Sequence, residues 1–143
     1  MIAYIDTSAF MKRFITEARS DDIDALLNSD TYRPAISSLT VTEFRSVLKR
    51  RQRENLIISS FANKAVSQLL EEIASGALRF HAIDAAIFNL AGELIDKLTA
   101  PLGTLDALHL ACAKATGAAV MISSDKQLLR AAFEADMQII DFS

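Results

Sequence analysis

The sequence predicts a single α/β domain built on a parallel sheet with helices on both faces. Three observations carry that prediction. Short apolar runs of strand length alternate with longer segments of helical period, the order that parallel β–α–β winding requires. The 143 residues suit one compact domain. Of these, 51% are hydrophobic, enough for a core, and the 23% that are charged argue against disorder. No internal repeat, low-complexity tract or linker interrupts the pattern, so residues 1–143 are expected to form one domain.

Met1–Asp6 reads as the first strand. A helix around Ser8–Thr16 follows, and another occupies Asp21–Asn28, where Ile23, Leu26 and Leu27 keep i, i+3, i+4 spacing. Arg33–Ser37 is a second strand, and Thr40–Arg53 is helical with Phe44, Val47 and Leu48 on one face. Asn55–Ser75 reads as a long helix carrying Ile58, Phe61, Ala62, Ala65, Leu69 and Ile73, with Gly76 suited to the position after its end. Leu78–Ala82 is a third strand, and Asp84 caps a helix to about Leu98. Pro101 and Gly103 then mark a helix-to-helix turn. Thr104–Thr116 is helical and stops at Gly117; Ala119–Ser123 is a strand, Asp125–Ala135 a helix and Met137–Phe142 the last strand.

Bulk properties narrow the functional classes. Cys112 is the single cysteine, which excludes an intramolecular disulfide, and its setting between Ala111 and Ala113 reads as a small buried apolar residue. No secretory signal is evident, and no apolar run nears the roughly 20 residues that span a bilayer. A cytoplasmic protein without membrane contact is expected. The net charge of −3 looks unsuited to a nucleic-acid partner. Setting aside four acids discussed next leaves 14 against 15 Lys and Arg, a formal +1. Bound cations would achieve that neutralisation physically, so acidity does not exclude RNA.

The four acids are Asp6, Glu43, Asp106 and Asp125. Each has an ordinary explanation. Asp6 ends the first strand and suits a helix N-cap; Asp125, after Ser123 and Ser124, suits another. Thr40 and Glu43 have the spacing of a capping box, and Asp106 is a first-turn acid that complements a helix dipole. Jointly they form a pattern. Asp6 and Asp125 fall just past strand C-termini, and Glu43 and Asp106 fall in first helical turns, although Asp106 follows no strand directly and topology alone does not bring it to that edge. In an open α/β sheet the crevice outside the strand C-termini is where ligands bind. Carboxylates gathered there repel unless some stay protonated or a hard divalent ion such as Mg²⁺ or Mn²⁺ joins them. The chemistry such a site supports is phosphodiester hydrolysis.

The blocks Tyr4-Ile5-Asp6-Thr7-Ser8-Ala9, Ser38-Leu39-Thr40-Val41-Thr42-Glu43, Leu105-Asp106-Ala107-Leu108-His109-Leu110-Ala111 and Met121-Ile122-Ser123-Ser124-Asp125 resemble the four signature blocks of PIN-domain nucleases. More narrowly they resemble the VapC toxins of bacterial and archaeal toxin–antitoxin pairs. The resemblance spans essentially the whole chain. It implies a three-layer fold with sheet order 3-2-1-4-5 and Mg²⁺- or Mn²⁺-dependent endoribonuclease activity. It also implies a cognate VapB-type antitoxin that inserts a segment into the active-site groove, and a homodimer. Asp6 and Asp106 match the principal metal ligands, with Asp125 next, and Glu43 matches the remaining acid. Ser8 and Ser123 stand where hydroxyls support the acids.

Basic residues supply candidates for holding a substrate phosphate. At about 100° per residue, Arg45, Lys49 and Arg53 fall opposite the apolar stripe of their helix, as a solvated face or partner contact, while Arg51 falls within the stripe. Arg50 returns to nearly the angle of Glu43 and is the favoured candidate, with Lys12 and Arg13 comparable. His109, one turn past Asp106, reads as a packed or hydrogen-bonded histidine rather than a ligand, and His81 receives no role. Aromatic content of 7% without Trp argues against extensive base-stacking platforms. A haloacid dehalogenase-type phosphatase would need an aspartate where Ser8 stands. A phospho-receiver would need an acid pair at the first strand's end, whereas Asp21-Asp22 starts a helix. The remaining alternatives are an RNA-processing PIN nuclease that is not a toxin, and a PIN-fold interaction module with weak or no catalysis.

Overall fold

The computed structural model describes residues 1–15 and 19–143. Five strands, β1 (Ile2–Ile5), β2 (Arg33–Ser37), β3 (Arg79–His81), β4 (Val120–Ser123) and β5 (Gln138–Asp141), form one sheet. Their order is β3-β2-β1-β4-β5 and every pair is parallel, as expected. Seven α-helices lie among the described residues: α1 (Thr7–Phe10), α2 (Ser20–Leu27), α3 (Ser38–Arg53), α4 (Ser59–Ser75), α5 (Ala85–Lys97), α6 (Thr104–Ala115) and α7 (Lys126–Glu134). None is long and apolar enough to cross a membrane.

Strand alternation divides the interior into two cores. Tyr4, Ala35 and Met121 point to one face, where α5, α6 and α7 cover them with Ile87, Ala91, Leu110, Ala111, Leu128 and Ala132. Ala3, Ile5, Ile36, Val120 and Ile122 point to the other, under Phe10, Ile23, Phe44, Leu48 and Leu69 of α1 to α4. Each large side chain fully buried in this way contributes about 1.5–3 kcal/mol relative to exposure. The sheet is apolar on both faces because both carry helices. Cys112 is buried in the first core, as its alanine neighbours indicate.

Several boundaries differ from the sequence-based expectation. The first helix is one turn of α-helix that tightens into a 3-10 turn over Met11–Arg13, where Phe14 and Ile15 both donate to the Met11 carbonyl. Thr16, in the expected helix, lies outside the described residues. α3 begins at Ser38 rather than Thr40, because Ser37 takes the N-cap position and its backbone N–H donates to Thr40 Oγ1. Glu43 therefore sits in the second turn and takes no part in capping. α4 begins at Ser59 rather than Asn55. Asn55 adopts a left-handed conformation, and the Leu56 and Asn55 N–H groups return to the carbonyls of Arg51 and Gln52, a Schellman stop that ends α3. Gly117 and Asp136 end α6 and α7 the same way, with Ala118 donating to Ala113 and Met137 to Ala132.

The sheet order reverses between β1 and β4. Each side of that switch point ends in a residue from the acid set, Asp6 after β1 and Asp125 shortly after β4. α6 and α3 bring the other two acids toward the same edge.

Candidate active site

Asp6 is 5% exposed, and the turn between β1 and α1 holds it by its hydrogen bonds. Its Oδ1 accepts from the Ala9 N–H at 3.2 Å, capping α1, and lies 2.8 Å from Ser8 Oγ. Its Oδ2 accepts from Ser123 Oγ at 2.8 Å. Ser123 Oγ in turn accepts from the Asp125 N–H at 2.8 Å, so one hydroxyl ties the end of β4 to the acid that ends β1. Burial pushes the Asp6 carboxyl above its ordinary value, and the nearby His109 and these hydrogen bonds only partly oppose it. Ser8 and Ser123 thus both hydrogen-bond the Asp6 carboxylate.

Asp106 does not follow a strand, yet it reaches the same place. Gly103 in extended conformation starts α6, and Asp106 lies in its first turn. Burial raises the Asp106 carboxyl to about 6; the charge of Asp125, a hydrogen bond with Asp125 and the charge of Asp6 add to the rise. Asp125 meanwhile caps α7, its Oδ1 accepting from the N–H groups of Gln127 at 2.9 Å and Leu128 at 3.3 Å. The helix-cap explanations of Asp6 and Asp125 are thus correct without excluding their convergence. Three aspartates from three separate segments interact electrostatically at one sheet edge.

Glu43 joins the group through a different device. His109, on α6 one turn after Asp106, is only 3% exposed and its Nε2 lies 2.5 Å from Glu43 Oε1. Thr7 Oγ1 donates to the same oxygen at 2.6 Å. Burial alone would raise the Glu43 carboxyl, but the hydrogen bonds from His109 and Thr7 outweigh it and hold the group below its ordinary value. On the other side of the ring, Nδ1 lies 2.8 Å from Tyr4 Oη, which is itself 2.8 Å from Ser37 Oγ. The sequence reads His109 as a packed or hydrogen-bonded histidine and indicates neither partner. One signal was available: Tyr4 and Asp6 share a strand parity, and a buried tyrosine hydroxyl needs a partner.

A cleft of about 400 Å³ opens beside these acids, lined by Thr7, Ser8 and Glu43 on one side and by Lys12, Arg50 and Arg51 among others. The structure thus brings Arg50 and Lys12 to the site and adds Arg51, which the apolar-stripe reading left unassigned. Arg13 goes elsewhere. Its guanidinium makes two hydrogen bonds to Glu72 of α4, at 2.8 and 2.9 Å, and lies 5.2 Å from the ring centroids of both Phe10 and Phe14. Arg45 and Lys49 line a separate groove between α3 and α4.

Among the described residues, no set of three His, Cys, Asp or Glu side chains already stands at metal-ligating spacing. The donor set that does converge consists of carboxylate oxygens, and the Asp106 carboxyl is raised first by burial and then by the charges of Asp125 and Asp6. A hard divalent cation prefers oxygen donors and relieves that repulsion, so these residues fit Mg²⁺ or Mn²⁺.

Comparison with known proteins adds a family and a fold. The model of the PIN domain family matches residues 3–134. No curated protein matches the sequence. The fold is similar to that of Mycobacterium tuberculosis VapC20, described as a sarcin-ricin loop cleaving toxin, with TM-score 0.70 and 19% identity over 90% of this chain and 94% of that one. It is similar also to a chain of FitAcB from Neisseria gonorrhoeae, with TM-score 0.64 and 19% identity over 99% and 97% of the two chains. A chain of DNA-bound VapBC from Salmonella typhimurium aligns with TM-score 0.61 and 19% identity over 100% and 99%.

Proposed function

This chain belongs to the PIN domain family, and from that premise we propose that it is a divalent-metal-dependent endoribonuclease and the toxin of a toxin–antitoxin pair. The observation that supports the nuclease reading best is the convergence of Asp6, Asp106 and Asp125 at the switch point of the sheet, with Asp106 raised to about 6 by burial and then by the charges of Asp125 and Asp6. The toxin reading is supported by the similarity of the fold to VapC20 and to chains of two toxin–antitoxin assemblies, FitAcB and VapBC. Its partners are then an RNA substrate, a cognate VapB-type antitoxin and a second copy in a homodimer, in the cytoplasm.

In this reading Asp6, Asp106 and Asp125 hold Mg²⁺ or Mn²⁺. The cation supplies the Lewis acidity that makes water a usable nucleophile near neutral pH and offsets charge gathering on the phosphate. Ser8 and Ser123 keep the Asp6 carboxylate from rotating, so both of its oxygens stay directed. Glu43 projects as a carboxylate into the cleft, where it orients water or accepts its proton. Lys12 and Arg50 hold the RNA backbone across the same opening, Arg50 as a planar fork and Lys12 as a point charge.

The test is direct. Purified protein incubated with structured and unstructured RNA should cleave internally with Mg²⁺ or Mn²⁺ and stop in EDTA. Asp6→Asn or Asp106→Asn should abolish cleavage while the circular dichroism spectrum stays that of the native chain. Wild-type rates in either variant would remove the two-ligand assignment.

A further inference from the structure

The buried hydrogen-bond chain behind Glu43 points to a role that the four acids do not cover. It runs from Ser37 at the end of β2, through Tyr4 on β1, to His109 on α6 and out to Glu43 on α3. Three of its four members are buried, with Ser37 and Tyr4 fully inaccessible, and only Glu43 reaches the cleft. A packed core has no need of this chain: phenylalanine for Tyr4 and leucine for His109 would fill similar space without burying polar atoms. Such networks are tolerated where every member is satisfied, and they then hold a single geometry.

Resting on the nuclease reading above, we propose that His109 is a positioning residue that fixes the Glu43 carboxylate relative to the three aspartates by donating Nε2–H, with Tyr4 fixing the ring through Nδ1. The placement of His109 supports this. It stands one helical turn from Asp106 on the same helix, so any rotation of α6 that moves Asp106 moves the donor that aims Glu43. Thr7, the residue after Asp6, supplies the second donor to the same Glu43 oxygen. The two donors thus come from the two segments that carry the principal aspartates, and the fourth acid is set in register with both. Nε2 carries the donated proton whether or not Nδ1 is also protonated, so the role does not depend on the ring's charge.

The test separates positioning from mere packing. His109→Phe keeps a ring in the core but removes both nitrogens; under single-turnover conditions with Mn²⁺ it should lower the cleavage rate about 10–100-fold at saturating RNA and change KM by less than about 3-fold. His109→Gln retains an Nε2 donor and should restore most of that loss. Tyr4→Phe removes one hydroxyl at nearly constant volume and should cost about 2–10-fold in the same rate. Should His109→Phe fail to fold, Tyr4→Phe decides. Wild-type rates in Tyr4→Phe, or an equal loss in folded His109→Gln and His109→Phe, would overturn the role.

A second readout does not depend on activity. In the nitrogen-15 spectrum of histidine-labelled wild-type protein, His109 should carry its proton on Nε2, and Glu43→Gln should shift that resonance. An unprotonated Nε2, or a resonance indifferent to Glu43→Gln, would overturn the hydrogen-bond assignment. If the wild type cleaves no RNA with either metal, the nuclease reading falls, while a shifted resonance would still uphold the link between His109 and Glu43.

Discussion

Neutralising Asp106 should stabilise this protein in the absence of metal. The Asp106 carboxyl moves from an ordinary 3.8 to about 6 in the fold, chiefly through burial and then through Asp125 and Asp6. Two units at about 1.4 kcal/mol each would amount to roughly 3 kcal/mol. The side chain is only partly buried and solvent screens its neighbours, so about 1–2 kcal/mol is the realistic share. The sign follows from proton binding. Below the unfolded value both states are protonated and the group contributes nothing. Between 3.8 and about 6 the native state binds more protons than the unfolded chain, so stability falls as pH rises and the loss is complete above 6. Asp106→Asn removes that loss. In EDTA at pH 7.5 its Tm should exceed the wild type's by about 3–6 °C, and the gap should close toward pH 4. Thermal unfolding across pH 4–8 is the assay. A Tm for Asp106→Asn equal to or below wild type at pH 7.5 would refute the clustering of the aspartates, as would a gap that widens toward acid.

Other consequences are open to measurement. Adding millimolar Mg²⁺ should raise the wild-type Tm in proportion to the logarithm of metal concentration, and the gain should be much smaller in Asp106→Asn; equal gains would place the cation elsewhere. Ser123→Ala withdraws a donor from Asp6 Oδ2 and an acceptor from the Asp125 N–H, so it should cost about 1–3 kcal/mol in chemical denaturation, and a neutral result would contradict the tie between β4 and Asp6. Arg50→Ala and Lys12→Ala should each weaken RNA binding and reduce the slope of log affinity against log salt by about 0.7. Arg13→Ala should leave that slope unchanged and lower the Tm instead, since its guanidinium is committed to Glu72 and two phenylalanine rings.

The parts of this site that were legible in the sequence are those written into local structure. Asp6 and Asp125 stand at strand ends and cap the helices that follow, so a cap signature and a site signature coincide in the same carboxyl groups. Arg50 could be placed from Glu43 by helical angle because α3 is regular between them. The same bookkeeping fails for Arg13. It sits in a 3-10 turn, and its partner Glu72 is 59 residues away. His109 shows the limit most clearly, since its two partners lie 66 and 105 residues away and depend on how α6 docks against β1 and α3. Glu43 was misplaced by a turn of helix because Ser37, not Thr40, takes the N-cap. The late start of α4 was hidden because asparagine tolerates both helical and left-handed backbone, and only the Schellman bonds at Asn55 reveal which one prevails.

The brevity of β1 has a consequence for how such a molecule can vary. Four residues in succession anchor one core, then the other, and supply the tyrosine that aims toward α6, immediately before the first aspartate. A single inserted or deleted residue here would exchange the faces of the side chains on one side of the change, at the expense either of the core contacts or of the Asp6–Ser123 link. The Arg50 side of the cleft carries no such burden: Arg50 is exposed on α3 and is not woven into the sheet, so a substitution there changes what lines the cleft without disturbing the strand.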